Sequence, residues 1–365
     1  MVHDSTYRIL TVPSKRSISN LQGDEMAVNH AASNHEQQPT KGDTPNHRLS
    51  IWYHPIYTNG IHPEARFPRD RYTKLVGKLQ SDRCSNRFFI NQPTEATRDE
   101  LIVAHNPEYV DNFLNQNLTE KEIKRIGLTP WTPQIIPRTL LLVGGAIAAL
   151  EHVLKNGGIA GNLAGGTHHA HYDFGSGYCI FNDLAVCSLL GLSRYKLTKI
   201  AVIDLDVHQG DGTATILQDV DQVLTISVHC KQNFPFRKSE SDYDLELPAD
   251  AGDEEMLQTV TQALDITKQF APELILFQAG VDGLATDALG KLNISREGMK
   301  RRNEMVFGFA VEHSIPTVVF MGGGYSEPID FTIEAFHDLF LCASRANQQI
   351  LNKVLVPGFE PGSKE

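Results

Sequence analysis

The chain has 365 residues, of which 41% are hydrophobic and 21% charged, so it can bury a sizeable core in one large domain. Its formal net charge of −11 argues against tight non-specific binding to nucleic acid, because neutralising phosphates requires a basic face. The same charge leaves room for a site that takes a cationic substrate such as a lysine-bearing peptide, which an acidic surface helps to attract.

The cysteines indicate a reduced, intracellular protein. All 5 are scattered and none forms a C-x-x-C pair, so neither a disulfide framework nor a thiolate zinc site is expected. No apolar run reaches the roughly 18 residues of a membrane helix, and the N-terminus lacks a signal-peptide pattern. We expect no membrane association and a location in the cytoplasm, or in the nucleus of a eukaryote. Acidic residues near the N-terminus disfavour an organellar transit peptide without excluding one.

Composition divides the chain into a short extension, one domain and a tail. Residues 1–48 are polar, rich in Asn, Gln, His and Ser, and without periodicity, which predicts a disordered extension. No repeat or linker interrupts residues 49–356, so we predict a single domain there, followed by a flexible tail at 357–365.

Apolar runs with the composition of buried strands alternate with helical patterns along this domain. In chain order the runs are LSIWYH, IAGNLAG, KIAVIDLDV, QVLTISVH, ELILFQAG and PTVVFMGGG. The helical patterns include PRTLLLVGGAIAALEHVLKNG and EEMLQTVTQALDITKQF. Near-continuous apolar strands between helices are typical of a sheet covered on both faces. The sequence therefore predicts an α/β fold, a single three-layer α/β/α domain with a mostly parallel central sheet.

Polar residues follow several of these runs at the point where the strand pattern ends. THH follows IAGNLAGG, DLDVHQGDG follows KIAVI, VD follows ILFQAG, and GGGY follows TVVFM. Sites in parallel sheets form outside the carboxyl ends of the strands. We therefore expect these loops to converge on one edge.

One of these loops offers metal ligands. Asp204, Asp206 and His208 alternate, so in an extended strand end they project to one side. Such groups on a buried strand are costly unless they are paired or bind a cation. For Asp206 and His208 alone, an Asp–His hydrogen bond beside a helix N-cap is the favoured interpretation. Asp282, after another strand, supplies a third ligand and favours a catalytic zinc site, which typically has three protein ligands.

The glycine-rich loop supplies acid–base candidates. His168 and His169 can serve as base and acid if a carboxylate holds the other ring nitrogen of each, and Asp204 and Asp211 are available for this role. Alone, the two histidines would be interpreted as capping backbone groups. Tyr325, after three glycines, can donate a hydrogen bond to an oxyanion, or simply close the glycine turn.

Four stretches together resemble a known family. AGGTHHAHYDFGSGYCIFND, VIDLDVHQGDG, QAGVDGLATDALGKL and GGGYS, in this order and with this spacing, resemble the zinc-dependent histone deacetylase family. The resemblance spans about residues 50 to 350, and NFPFRK is most similar to the class IV branch and its bacterial and plant relatives. It implies the single open α/β domain that this family shares with arginase.

The resemblance also implies a role for individual positions. The zinc ligands of the family correspond to Asp206, His208 and Asp282. The paired histidines of the active site correspond to His168 and His169, supported by Asp204 and Asp211, and the transition-state donor corresponds to Tyr325. Of the two histidines, His169 is the implied general base. A structural potassium ion would use backbone oxygens of Asp204, Asp206 and His208 together with Ser227 and Val228.

A narrow aromatic tunnel for an acyl-lysine stem is implied as well. Its walls and rim correspond to Gly177, Tyr178, Phe234 and Leu289. Tyr178 adds a hydroxyl where many members of the family have Phe. An arginine that lines the inner channel of the family corresponds to one of Arg66, Arg69 and Arg71.

These residues predict a zinc-dependent amide hydrolase that removes acetyl or longer acyl groups from lysine side chains of proteins. Iron(II) is accepted by the same ligands. The expected partner is an acyl-lysine protein or peptide, and no direct binding to nucleic acid is expected. The alternatives are a deacetylase of a small acetylated amine such as an acetylpolyamine, a dinuclear arginase-like enzyme and a non-catalytic reader of acyl-lysine. The dinuclear site lacks sufficient Asp-x-His pairs, and a reader is expected to have lost a ligand or Tyr325, which is present.

Overall fold

The computed structural model describes residues 47–81 and 85–355. The predicted extension at residues 1–48 lies outside these residues except for its last two positions, and the predicted tail at 357–365 lies outside them entirely. Both therefore stay predictions. The described residues belong to one compact unit.

Eight short strands in the described residues form one sheet. They are β1 (Leu49–Trp52), β2 (Phe88–Asn91), β3 (Ile159–Asn162), β4 (Ile200–Asp204), β5 (Val223–Cys230), β6 (Tyr243–Leu247), β7 (Leu274–Gln278) and β8 (Thr317–Phe320). Their order is β2-β1-β3-β8-β7-β4-β5-β6 and every pairing is parallel, which confirms the predicted fold class. The sequence patterns missed β2 and β6, which lie at the two edges and are only partly buried.

Helices cover both faces of this sheet. In chain order they are α1 (Ile56–Asn59), α2 (Arg71–Leu79), α3 (Arg98–Leu101), α4 (Pro107–Leu114), α5 (Glu120–Ile126), α6 (Ile135–Asn156), α7 (Asp183–Ser193), α8 (Asp211–Leu217), α9 (Asp253–Phe270), α10 (Arg296–His313) and α11 (Asp330–Leu355). The crossovers through α6, α7 and α8 run along the sheet in one direction and those through α9 and α10 run in the other. Because such crossovers are right-handed, the two groups lie on opposite faces, and α11 packs beside α10.

Helix α6 is the one helix among the described residues whose length and hydropathy would suit a membrane span. Most of its span-like segment is buried inside the protein, where α6 contacts β1, β3 and α7. A Cβ at Gly144 would lie 1.8 Å from the carbonyl oxygen of Thr94, so this glycine lets the helix approach the neighbouring chain closely. Core packing therefore accounts for the apolar surface of α6.

The strand order explains why the predicted loops meet. Strands β3, β8, β7 and β4 are consecutive in the sheet and parallel. The loops that leave their carboxyl ends carry the histidine pair, the glycine–tyrosine segment, Asp282, and the Asp-x-His segment. All four loops therefore begin side by side at one edge, as expected for a site in this type of sheet.

Candidate metal centre and active site

Asp206, His208 and Asp282 meet at this edge. One ligand atom from each lies within 4.8 Å of the others. Nδ1 of His208 is 3.0 Å from Oδ1 of Asp206 and 3.1 Å from Oδ2 of Asp282. The prediction that Asp206 and His208 lie on an extended strand end is wrong. Strand β4 ends at Asp204, so both residues lie in the loop that follows it.

Backbone amides fix the orientation of both carboxylates. The N–H of Val207 donates to Oδ1 of Asp282 at 2.9 Å, and that of Gly323 donates to Oδ2 of Asp206 at 2.8 Å. A Cβ at Gly323 would lie 1.9 Å from Oδ2 of Asp282, so the glycine segment after β8 can approach the cluster only without a side chain. Gln278 at the end of β7 adds a hydrogen bond to Asp206 at 3.2 Å.

The electrostatics of the cluster fit a divalent cation. Burial and the neighbouring Asp206 raise the pKa of Asp282 to about 7. Burial by itself lowers the pKa of His208, but the two carboxylates outweigh it and raise that pKa to about 10. Two acids in contact with one buried imidazole are costly without a positive charge between them. Ligand atoms at about 2.0–2.2 Å from one ion lie roughly 3–3.6 Å apart, close to the 3.0 and 3.1 Å that separate Nδ1 of His208 from the two carboxylates. The donor set therefore fits one divalent metal ion.

Each histidine of the pair has its own carboxylate. Nδ1 of His168 lies 2.7 Å from Oδ2 of Asp204, and Nδ1 of His169 lies 2.6 Å from Oδ1 of Asp211. Burial lowers the pKa of His168, but Asp204 and Asp206 outweigh it and raise that pKa to about 9. Burial, with the charge of His168, lowers the pKa of His169 to about 4. The site therefore holds a cationic imidazole beside a neutral one, which has an unprotonated Nε2 if its Nδ1–H donates to Asp211.

Two buried residues that sequence reasoning missed shape the histidine loop. Asp183, at the start of α7, accepts hydrogen bonds from the backbone N–H groups of Gly166 (3.1 Å) and Thr167 (2.8 Å). His105 donates from Nδ1 to the carbonyl of His171 at 3.0 Å and accepts the N–H of Asn182 at 2.8 Å. The contacts of His105 span 66 and 77 positions, so no local motif reveals them. Asp183 lies in the same sequence stretch as its partners, but its spacing from them does not indicate the hydrogen bonds.

A cavity of about 540 Å³ leads from the surface to the Asp206–His208–Asp282 cluster, and all four predicted tunnel positions line it. The Phe234 ring lies 4.9 Å from the ring of His169, with an interplanar angle of 77°. A Cβ at Gly177 would lie 2.7 Å from Cδ2 of His169, so only glycine fits against this imidazole. Tyr178 lies 6.0 Å from the ring of Tyr325, and Leu289 is 44% exposed at the mouth.

Tyr325 and Arg71 complete the cavity wall. Tyr325 is half-buried, and burial raises the pKa of its hydroxyl well above the usual 10, so the group stays protonated and can donate a hydrogen bond. Arg71 donates to the carbonyls of Gly322 (3.1 Å) and Gly324 (3.2 Å) on the glycine segment. Of the three arginines considered for the inner channel, Arg71 alone lines the cavity.

The positions predicted for a potassium ion lie at the end of β4, in the loop that follows it, and in the second half of β5. Asp204 is the register partner of Ser227 in the parallel pair, and Val228 follows in β5. The hydroxyl of Ser227 lies 2.9 Å from Nδ1 of His229. The potassium site stays a prediction.

Arg302, which sequence reasoning also missed, holds the loops that carry the proposed metal ligands. Its side chain is fully buried, and Nη1 donates to the carbonyls of Leu205 (3.0 Å) and Gly280 (2.6 Å). Nη2 donates to the carbonyl of Ala279 at 3.1 Å. This cation lies behind the cluster of acids and fixes the loops after β4 and β7. The polar stretch REGMKRRNEM around it is typical of an exposed helix, so the sequence gives no signal for the role of this arginine.

Comparison with known proteins agrees with this geometry. The model of the histone deacetylase domain matches residues 63–334. The chain belongs to the histone deacetylase family. It is therefore a member of a family of amide hydrolases, and the resemblance found in its sequence is confirmed.

Among relatives of this histone deacetylase-family protein, an uncharacterized protein of Picosynechococcus sp. is 41% identical over 76% of the chain and 93% of its own length. Histone deacetylase 2 of Arabidopsis thaliana is 31% identical over 78% of the chain and 76% of its own length. A probable deacetylase of Archaeoglobus fulgidus is 28% identical over 73% of the chain and 77% of its own length.

Two solved structures share the fold. The acetylpolyamine aminohydrolase from Burkholderia pseudomallei superposes with a TM-score of 0.67 at 19% identity, covering 80% of this chain and 98% of its own. The HD domain of HDA15 superposes with a TM-score of 0.68 at 20% identity, covering 84% and 95%. At these identities the comparison shows the fold alone.

Proposed function

We propose that this protein is a zinc-dependent lysine deacylase, which hydrolyses the amide between an acyl group and the ε-amine of a lysine in a protein. One observation carries the proposal: the buried Asp206–His208–Asp282 cluster lies at the inner end of a cavity that His168, His169 and Tyr325 also line. Iron(II) is the alternative metal, since the oxygen and nitrogen donors accept both ions. A structural potassium ion and membership of the class IV branch belong to the same proposal.

Bound zinc would supply a Lewis acid for the amide oxygen and lower the pKa of an attacking water. The residues of the chain do the rest. His169, neutral and held by Asp211, takes a proton from the water through Nε2. Tyr325 donates a hydrogen bond to the oxygen of the amide as negative charge develops on it. The proton on His169 then passes to the leaving amine, while His168 stays cationic against Asp204 and stabilises the negative charge.

The charges at the cavity favour an acyl-lysine in a protein over an acetylated polyamine. Among the described residues that line it, the only acids are the proposed ligands Asp206 and Asp282. Arg125 and Lys291 are exposed at the outer part of the lining, so the mouth is basic. A polyamine would bring further cations against these two side chains, whereas a peptide can place neutral or acidic residues beside them. At ionic strengths near 0.15 M, these local charges count for more than the distant net charge of −11, because screening acts over about 8 Å.

The experiment is a direct competition between substrate classes. The zinc-loaded protein is given lysine peptides that carry acyl chains from acetyl to myristoyl and, in parallel, N-acetylputrescine and N-acetylspermidine. We expect chelator-sensitive turnover with a kcat/KM at least about tenfold higher on the best peptide, equivalent to about 1.4 kcal/mol of transition-state binding. The preferred chain length identifies the acyl group.

Lys291→Glu and Lys231→Glu are the matched variants. Lys291 lines the cavity, whereas Lys231 is exposed and does not. Charge reversal at Lys291 alone is expected to raise the relative turnover of acetylpolyamines. Preference of the unaltered protein for an acetylpolyamine would replace the proposed substrate with the small amine, and metal binding without turnover of either class would exclude both.

A further inference from the structure

Asp211 is shared between two histidines, and the reaction proposed above uses only one of them. Its Oδ1 lies 2.6 Å from Nδ1 of His169, while its Oδ2 lies 3.3 Å from Nε2 of His171. On the far side of the second ring, Nδ1 of His171 lies 2.8 Å from the hydroxyl of Thr215. A chain of hydrogen-bonding groups therefore runs from Thr215 through His171 and Asp211 to His169.

The direction of these hydrogen bonds can be worked out from their partners. Asp211 is ionised, because His169 and His171 together hold its pKa well below the usual range against the effect of burial. An ionised carboxylate only accepts hydrogen bonds, so Nε2 of His171 must carry a proton to interact favourably at 3.3 Å. Thr215 also donates to the carbonyl of Gly212 at 3.1 Å. Nδ1 of His171 faces the Thr215 hydroxyl, so both ring nitrogens of His171 have a hydrogen-bonding partner.

The position of the His171 ring is fixed from several directions. Its backbone N–H donates to the carbonyl of Phe174 at 2.9 Å, and its own carbonyl accepts from His105. The ring stacks on Phe174 with centroids 4.4 Å apart and an interplanar angle of 23°. The side chain is 16% exposed and is not part of the cavity lining, so it does not meet substrate.

The charges around this ring come from four elements. Asp211 on α8 faces it directly, and Asp173 lies on its own loop. From α5, the guanidinium of Arg125 lies 4.0 Å from the Phe174 ring, on which His171 stacks. Lys238, in the loop after β5, is close enough for Asp211 to raise its pKa, although burial lowers it.

We propose that His171 is a positioning residue for catalysis, which holds Oδ2 of Asp211 so that Oδ1 stays on Nδ1 of His169 and fixes the orientation of that ring. The proposal rests on the proposed function, in which His169 is the base. Without the His171 hydrogen bond, the carboxylate loses a partner and can turn away from His169. His171 thereby keeps the base aligned for catalysis.

The test compares kcat and KM in three variants of the holoenzyme. His171→Phe keeps a ring against Phe174 but loses both nitrogens, and His171→Gln keeps an amide that can donate to Asp211. Phe174→Leu removes the stack and leaves the hydrogen bond. For His171→Phe we expect kcat to fall by about tenfold or more, with KM changed less than about twofold.

The other two variants separate positioning from simple support of the loop. The kcat of the unaltered enzyme is expected to return in His171→Gln and to persist in Phe174→Leu, each within about twofold. An unchanged kcat in His171→Phe, or a loss that His171→Gln does not reverse, would overturn the proposal. All rates are measured on the best substrate of the unaltered enzyme, so an error in the substrate class does not affect the comparison.

A measurement without substrate covers the case in which His171→Phe fails to fold. Nitrogen-15 spectra of histidine-labelled protein, assigned by the signal lost in His171→Gln, report which ring nitrogens carry protons. We expect a protonated Nε2 on His171 at neutral pH. An unprotonated Nε2 would contradict the proposed hydrogen bond, whatever the protein hydrolyses.

Discussion

The rings of His168 and His169 lie 4.1 Å apart, yet their environments drive them to opposite protonation states. Asp204 and Asp206 overcome burial to raise the pKa of His168 to about 9, whereas burial and the charge of His168 lower that of His169 to about 4. Groups in one site whose pKa values are pushed apart are suited to acid and base roles. In the reaction proposed above, the neutral imidazole is the base and the charged one is its electrostatic partner.

The pH profile of turnover follows from this pair. His169 must be neutral, so kcat/KM should fall tenfold per unit below its pKa, which lies under the ordinary 6.5. His168 must be charged, so activity should fall again as pH rises through about 9. The expected result is a bell whose acid limb lies below pH 6.5, measured as kcat/KM on an acyl-lysine peptide. An acid limb above pH 7 would contradict the assignment of His169.

The hydroxyl of Tyr325 is expected to act only in the transition state. Tyr325→Phe should lower kcat by about 10²–10³-fold with little change in KM, the size of effect seen when one oxyanion donor is removed. Tyr178→Phe is the matched control, since both tyrosines line the cavity and their rings lie 6.0 Å apart. Steady-state kinetics on both variants check the prediction, and equal losses in the two would contradict the specific role of Tyr325.

Arg302 is expected to be essential for stability. Arg302→Met leaves the carbonyls of Leu205, Ala279 and Gly280 without their donor and removes a buried positive charge near the acids. We expect a loss of about 3–5 kcal/mol in the free energy of unfolding, measured by urea denaturation. Arg301→Met, at the exposed neighbour, should change it by less than about 0.5 kcal/mol. Similar values for the two variants would contradict this account.

His105 predicts a pH dependence of folding. Burial lowers its pKa from 6.5 to about 4, so the folded state binds fewer protons than the unfolded chain between these values. Above pH 6.5 the neutral ring therefore contributes roughly 3 kcal/mol to the free energy of unfolding, and this contribution is lost as pH falls toward 4. His105→Gln should therefore lose less stability than the unaltered protein between pH 7 and pH 5 in urea titrations. Parallel losses in the two proteins would show that His105 does not contribute.

The inner strands and their loops could be predicted because their signals are local. Strands β4 and β7 are continuous apolar runs, and Asp206, His208 and Asp282 come directly after them. A parallel sheet then brings such loops to one edge without further information. The edge strands could not be predicted in the same way, because β2 and β6 are partly exposed and carry no continuous apolar pattern.

The supporting residues depend on contacts that sequence spacing does not encode. Arg302 reaches the carbonyl of Leu205 from a helix 97 positions away, and His105 meets Asn182 across 77 positions. His171 lies in a loop two residues from His169, yet its ring is hydrogen-bonded to Asp211 and Thr215 on helix α8. Such partners become visible only when the fold brings them together.

The central claim is that amide hydrolysis depends on one metal ion held by Asp206, His208 and Asp282. The most direct test is a zinc titration of metal-free protein, with turnover of the best acyl-lysine peptide followed at each addition. We predict no turnover before zinc is added, saturation at one equivalent per chain, and no recovery in Asp282→Asn at the same zinc concentrations. Full turnover in the metal-free protein, or saturation only at two equivalents, would contradict the claim.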